Sequence, residues 1–495
     1  MKFRKIILLI LIFFLCNALA YAQFPLNYKQ SVASIQADSV DIQYYKNKNW
    51  VTAAGQVVGL NIGVWAFDRY ALNGDFAHIG WQSIQENFRH GFVWDNDKMS
   101  TNFFSHPYHG SLYYNSARAN GFNMWQSTAF VMLGSATWEL FMENEYPSIN
   151  DAINTTLGGV IAGEVAYRTS DCLLDDRARG ISRFGREFTA FLISPARGIT
   201  RIINGDAWRI RQTSGQQFGS PNVNVEFSLG ARNIELRDEI FDEGFGLAAD
   251  VALEYGERFE TDGWKPYDYF TVSGSISLQK KQPFLSKVTI SGRLYGTDLI
   301  DSKKDYLNFG IYQHFNYYNS DSISDISNSV PYRFGTPSCF GIGLMYNNKR
   351  YENWHFSSYF HLNAVILGAT LSDHYFVDER NYNMSNGFGI QLGFSFAYKD
   401  KVHLSYYSDS FYMFIANGYP EEYNLTNENG KHISYKGDTS TSVSNSGSLK
   451  LDVKLSKNLF ITAETSSFVR STKYKFYDDV YSLTLENKLM LTLKF

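Results

Sequence analysis

His106 and His109 open the densest group of ionisable residues in the chain, in the run Phe104-Ser105-His106-Pro107-Tyr108-His109-Gly110. Asn115 and Arg118 follow at helical spacing. Then come Glu139 and Glu143, one turn apart on one expected helix face, and Asp151, Asn154, Glu164 and Arg168. Two imidazoles three residues apart, joined by a carboxylate from Glu139 or Glu143, form a set that can ligate a metal ion. An imidazole beside a carboxylate can equally act as a general acid–base pair. His106, His109, Glu139, Glu143 and Asp151 are therefore the candidate catalytic residues, with the metal question open and no cofactor assigned. The competing reading is structural. The histidines would anchor the next helix, and Glu139, Glu143, Asp151, Arg118 and Arg168 would form satisfied buried ion pairs, as buried charges must. A bare HxxH lacks the helix context that makes a zinc motif specific. Glu164 and Arg168 read first as a helix salt bridge. The chain has no Walker loop, GxSxG or HExxH.

These residues lie in a stretch, 56–205, where helical periods dominate. Ala53 to Asn73 is apolar and glycine-containing. Gly110 to Phe122, Met124 to Glu143, Ser148 to Leu174 and Ile181 to Ile203 read as helices. Ser148 is the expected N-cap of the third, with Asp151 three residues on. Gly134, Ser135, Ala136, Gly158, Gly159, Ala162 and Gly163 permit close helix packing. The expectation is a periplasmic or membrane-proximal helical domain that partly fills or caps the second half of the chain.

That second half, 222–495, alternates with a period of two. The last stretch, Tyr481 to Phe495, carries Tyr481, Leu483, Leu485, Leu489, Leu491, Leu493 and Phe495 on one face; Asn487 and Met490 break the pattern. A strand of about 9–11 residues crosses a bilayer when tilted. Phe245 to Tyr255, Val288 to Leu294 and Ser448 to Leu455 alternate likewise. Turn signals at Asp301 to Asp305, Asn347 to Lys349 and Ser456 to Asn458 separate such runs, and Asn424 to Ser446 reads as a long loop. About twelve strands are expected, an antiparallel transmembrane β-barrel. Asp250, Glu254, Arg293, Glu464 and Glu486 fall on the lumen side and read as solvated lining. A soluble sandwich also alternates; the start of the chain argues against it.

Lys2, Arg4 and Lys5 precede an apolar run, Ile6 to Leu15, and Ala20-Tyr21-Ala22 precedes Gln23. Residues 1–22 read as a secretory signal peptide, followed by an N-terminal segment, 23–55. Phe13, Phe14 and Leu15 are too large for a lipobox before Cys16. Removing the signal takes the formal charge from −4 to −7. A mildly acidic chain with no basic block gives no support to nucleic-acid binding. Aromatics are 17% of residues, as aromatic girdles require, and charged residues only 19%, below the about 25% usual in soluble domains. No later run of about 20 apolar residues suggests a transmembrane helix bundle. A mean hydropathy of −0.27 suits a barrel with a polar lumen. Cys172 and Cys339 make no disulfide framework and are expected to be free.

The stretches HPYHGSLYYNSARANGF and GSATWELFMENEYPSINDAINTTLGGVIAGEVAYRTSD resemble the family catalogued as domain of unknown function 3943. The resemblance covers Asn61 to Gly205. It implies an outer-membrane protein of a Gram-negative bacterium with a helical segment ahead of a β-rich half, and it brings no activity with it. The two expectations for function are an outer-membrane barrel with a structural, binding or transport role, and an outer-membrane enzyme modifying lipid or lipopolysaccharide. Expected partners are outer-membrane lipid and, during insertion, the barrel-assembly machinery.

Overall fold

The computed structural model describes residues 48–236, 244–261, 263–323, 329–348, 350–425 and 433–495. The expected signal peptide and most of the segment after it lie outside the described residues. Seven α-helices come first: α1 Trp50–Phe67, α2 Trp81–His90, α3 His106–Arg118, α4 Met124–Phe141, α5 Ile149–Leu173, α6 Gly180–Ile193 and α7 Pro195–Ile203. Twelve antiparallel strands come next: β1 Val223–Leu236, β2 Phe245–Tyr255, β3 Phe270–Ser277, β4 Leu285–Asp301, β5 Asp305–Asn319, β6 Arg333–Asn348, β7 Trp354–Leu371, β8 Tyr382–Tyr398, β9 Val402–Phe414, β10 Ser440–Lys454, β11 Leu459–Tyr474 and β12 Val480–Lys494. Each pairs with its sequence neighbours, and β12 closes on β1 with Leu491 opposite Leu229. The sheet is a closed barrel, the architecture expected from the alternation.

Its two ends differ. Strand connections 302–304, 349–353, 399–401 and 455–458, with 256–269, lie at the end that carries the chain's strand termini. Connections 320–332, 372–381 and 415–439 lie at the other, the loop end. The long loop expected at Asn424 to Ser446 lies earlier in the chain, at 415–439, because Ser440 to Ser446 already belongs to β10. Its run of serines hides the alternation. Ser442, Ser444 and Ser446 are buried, and Val443 between them is exposed.

The helices do not fill the barrel. His314 and Asn316 on β5 line the central cavity. Their neighbours point the opposite way, as successive side chains of a strand must. Gln313 Nε2 donates to the carbonyl of Leu157 on α5 (2.8 Å), and the Tyr317 ring lies 5.7 Å from Phe104. Phe315, Ile290, Phe270, Leu367, Tyr382 and Met384 join Phe103, Tyr114, Val160 and Ile161 in one apolar core. The helical layer is therefore packed on the outer wall of the barrel, and the expectation of a plug or cap is corrected. The reason is the wall's own apolar exterior, which one side of the barrel buries against α5.

Helix α5 runs along that wall. Asn154 accepts from Ser338 Oγ (3.2 Å) towards the loop end, and Arg168 Nη2 donates to Pro266 O (2.9 Å) in the 256–269 connection. Its closeness to α3 depends on glycine. A Cβ on Gly110 would sit 1.9 Å from Thr155 O, and one on Gly159 2.7 Å from Gly110 Cα. Buried Glu164 is held by Arg118 Nη2 and Arg168 Nε, both at 2.8 Å. The helix expected over Ile181 to Ile203 breaks at Ser194, where Pro195 cannot donate to the preceding turn. Trp50–Leu72, α1 with its final turn, is long and apolar enough to cross a membrane, contrary to expectation. Gln56, Asn61, Asp68 and Arg69 interrupt its apolar run without lowering its mean hydropathy enough. Cys172 lies on α5 outside the wall and Cys339 on β6 inside it; both are free.

Candidate functional site

The polar cluster gathers where four chain segments meet beside the loop end. Val93 and Ser148 form a bridge, with Val93 N donating to Pro147 O (2.9 Å) and Ile149 N to Val93 O (2.8 Å). This lays Trp94 to Asp97 across the start of α5. Arg380 Nη1 donates to Asp95 O (3.1 Å), and Trp94 N to Ile433 O (3.3 Å), tying the segment to connections 372–381 and 415–439. The cluster thus sits beside the loop end of the wall.

His106 is the first residue of α3, Glu139 lies in the last turn of α4 and Asp151 in the first turn of α5. One ligand atom from each lies within 4.8 Å of the others. His106 Nε2 is 3.4 Å from Asp151 Oδ1. Glu139 Oε2 accepts from the Ser148 backbone N–H (2.7 Å). Ser148 also caps α5, its Oγ accepting from Asp151 N (3.2 Å), and Asn150 Nδ2 donates to Asp151 Oδ1 (3.0 Å). Asp95 completes the group. Its carboxylate accepts from Asn102 Nδ2 and from Ser148 Oγ (3.4 Å). Sequence reasoning missed Asp95. The acidic run Asp95-Asn96-Asp97 was its signal, but only the bridge to Ser148 brings it to the histidine.

Two of the five candidates stand apart. The Glu143 carboxylate accepts from Trp138 Nε1, and α4 ends at Phe141, so Glu143 does not share a helix face with Glu139. His109 lies one turn along α3, its ring 4.6 Å from Tyr113 and 5.1 Å from Trp138. Neither supplies a ligand atom to the group of three. The pairing of His106 with His109 is replaced by one of His106 with Asp151.

The electrostatics are unusual for buried carboxylates. Glu164 has two arginines. Among the described residues no lysine or arginine is within ion-pair distance of Glu139, Asp151 or Asp95. Burial pushes the Glu139 carboxyl up to about 8, outweighing the Ser148 N–H that favours its ionised form. Burial, then Asp95 and Glu139, pushes Asp151 well up, and burial and Asp95 bring Asp97 to about 8. Burial holds the His106 imidazole below its ordinary value in spite of Asp95. The neutral imidazole keeps a lone pair, and the carboxyls hold protons that a cation can displace.

Fold and site together define a closed twelve-stranded barrel with a helical layer on its outer wall, and a buried His/carboxylate centre in that layer. Residues 91–196, which contain the whole centre, match the family described as Domain of unknown function (DUF3943), the family the sequence resembles. No curated protein matches the chain. Among solved structures, the NanC porin is similar at 9% identity over 55% of this chain and 100% of its own, with a TM-score of 0.26. The CymD monoaromatic hydrocarbon channel is similar at 10% identity over 55% and 88%, TM-score 0.23. The outer membrane channel DcaP of Acinetobacter baumannii is similar at 8% identity over 56% and 97%, TM-score 0.23. The closed ladder of strands, not these likenesses, defines the architecture.

Proposed function

We propose that this protein is an outer-membrane β-barrel whose wall-mounted helical layer binds a divalent cation through His106, Glu139 and Asp151, with Asp95 beside them. The observation that carries the reading is the convergence of an imidazole and two buried carboxyl groups within one coordination sphere, without a protein cation to neutralise them. One nitrogen and several oxygens suit manganese or zinc better than a soft, thiolate-seeking ion.

The membrane location is supported by the barrel's exposed exterior away from the helices: Leu229, Phe388, Leu404, Leu449, Leu489 and Leu491 project outward there. The outer face of the helical layer continues it with Val58, Ile62, Trp125 and Leu133. In outer-membrane barrels the longer loops are extracellular, so the centre would lie at the level of the outer-leaflet headgroups. Export by the signal peptide and insertion by the barrel-assembly machinery, with outer-membrane lipid as the standing partner, complete the reading. A lumen crossed by aromatic side chains argues against a general diffusion pore. Tyr318 on β5 lies 6.1 Å from Phe468 on β11, across the barrel, and Tyr332 stacks on Phe468 at 3.9 Å.

The test is calorimetric titration of the detergent-solubilised, chelator-treated chain with Mn2+, an ion that favours carboxylate oxygens. We expect one saturable site in the wild type, weakened more than about 100-fold by Asp151→Asn, a larger loss than outer-shell changes cause. Equal affinity in the two proteins would rule the site out. Lipid mass spectrometry of outer membranes with wild type, no chain, or His106→Ala plus Glu139→Ala addresses the lipid-modifying reading: it requires one lipid species to change in both altered strains.

A further inference from the structure

The barrel holds a second concentration of nitrogen ligands, apart from the helical centre. A cavity of about 420 Å³ occupies the lumen. His314 on β5 and His361 on β7 both line it, and they are only 1% and 2% exposed. Neither nitrogen of either ring has a hydrogen-bond partner among the described residues. Asn363 Oδ1, beside them, has none either. Charged groups in the same lumen are paired: Lys488 with Asp250 at 2.8 Å, Lys450 with Glu226 at 2.6 Å, Lys494 with Asp452 at 2.7 Å. Native interiors leave few buried polar atoms unsatisfied, and a cluster of them calls for an occupant.

The geometry identifies its class. The two imidazole centroids are 5.1 Å apart, with ring planes at 50°. Two imidazoles bound to one tetrahedral ion, each through a bond of about 2.0–2.1 Å, place their centroids about 5 Å apart. The position of His361 is built in. Its ring lies where a Cβ on Gly343 would stand, 2.1 Å from Cδ2, and stacks on Tyr312 at 4.2 Å. The lining offers a route and a bias. The cavity reaches Asn224 and Lys494 at the end carrying the strand termini, and its walls hold seven carboxylates against five lysine and arginine side chains.

We infer that His314 and His361 bind a late first-row transition-metal ion inside the barrel, the class that favours imidazole nitrogen. The site is distinct from the helical centre, which lies outside the wall, and it stands whether or not that centre binds a cation.

The test uses Cu2+ on the untagged full chain in detergent, in a His106→Ala background that removes the imidazole of the helical centre. Electron spin echo modulation counts the imidazoles coupled to the bound ion. We expect two, at one equivalent, and a loss of at least tenfold in affinity with one coupled imidazole when either His314→Gln or His361→Gln is added. Folding of each variant is checked by the heat-dependent electrophoretic mobility of the barrel. The count on the barrel with an intact lumen does not depend on the glutamine variants folding. Fewer than two coupled imidazoles there, or stoichiometry and spectrum unchanged by both substitutions, would overturn the assignment and leave the cavity to water alone.

Discussion

At the scale of single residues, the chain treats two sets of buried carboxylates in opposite ways. Glu164 receives Arg118 and Arg168, and Tyr114 also donates to it at 2.7 Å. Glu139 receives the Ser148 backbone N–H, and Asp151 faces the His106 imidazole and receives the Asn150 side-chain amide. The first set is a lock; the second can hold either protons or a cation. This difference gives a pH dependence whose sign is fixed. Glu139 in the folded protein titrates at about 8, above its ordinary range. Its contribution to stability is therefore present at acid pH and is lost as pH rises through about 8. The chelator-treated protein should show a thermal midpoint that falls between about pH 4.5 and pH 8, and Mn2+ should cancel the fall because binding displaces the same protons. Metal affinity should rise over that interval, with protons released in the calorimeter. A midpoint indifferent to both pH and metal would contradict the role given to these carboxyls.

At the scale of elements, the contact of α3 with α5 carries the centre, since His106 and Asp151 sit at their facing N-terminal ends. Gly159→Leu would drive a side chain into the Gly110 backbone, at a cost of about 3 kcal/mol. Arg118→Met would leave Glu164 with one arginine, a change of about 3–5 kcal/mol when a buried pair is broken. Both should lower the thermal midpoint in detergent, and Gly159→Leu should also weaken metal binding. Retained affinity with a displaced helix pair would show that the centre does not need the contact. The elements were legible to different degrees. Strands such as β2 and β12 announce themselves by alternation. The first half of β10 does not, because Thr441, Asn445 and Gly447 on its outer face are hardly more apolar than the lumen serines between them. Helices α4 and α5 follow from their apolar periods and the Ser148 cap, whereas the α6–α7 break needed Pro195 to be weighted above the apolar run. Of the site, His106, Glu139 and Asp151 stood out as polar residues in apolar sequence. Asp95 did not, because its role comes from the bridge at Ser148. His314 and His361 also escaped notice, since alternation sends them to a lumen where polar residues are ordinary.

At the scale of the molecule, the placement of the helices was not readable in advance. The outward faces of β4 to β8 are apolar whether they meet lipid or another protein layer, so Phe315 and Leu367 look like any lipid-facing residue. Contacts such as those of Gln313 with Leu157 and Tyr317 with Phe104 tell the two apart. The barrel's lumen makes a further prediction. With Tyr318, Tyr332 and Phe468 bridging β5 to β11, the reconstituted protein should show no steady porin-like conductance in planar bilayers, and Tyr332→Ala with Phe468→Ala should raise it. Large open channels from the unsubstituted chain would mean that the aromatic layer does not close the lumen. The most direct measurement of the proposed cation centre is anomalous diffraction from crystals of the full chain soaked in Mn2+. A peak is expected on the outer side of the barrel wall, bonded to His106 Nε2 and to carboxylate oxygens of Glu139 and Asp151. A map with no peak there, or helices displaced from the β4–β8 wall, would contradict a cation centre held by this layer.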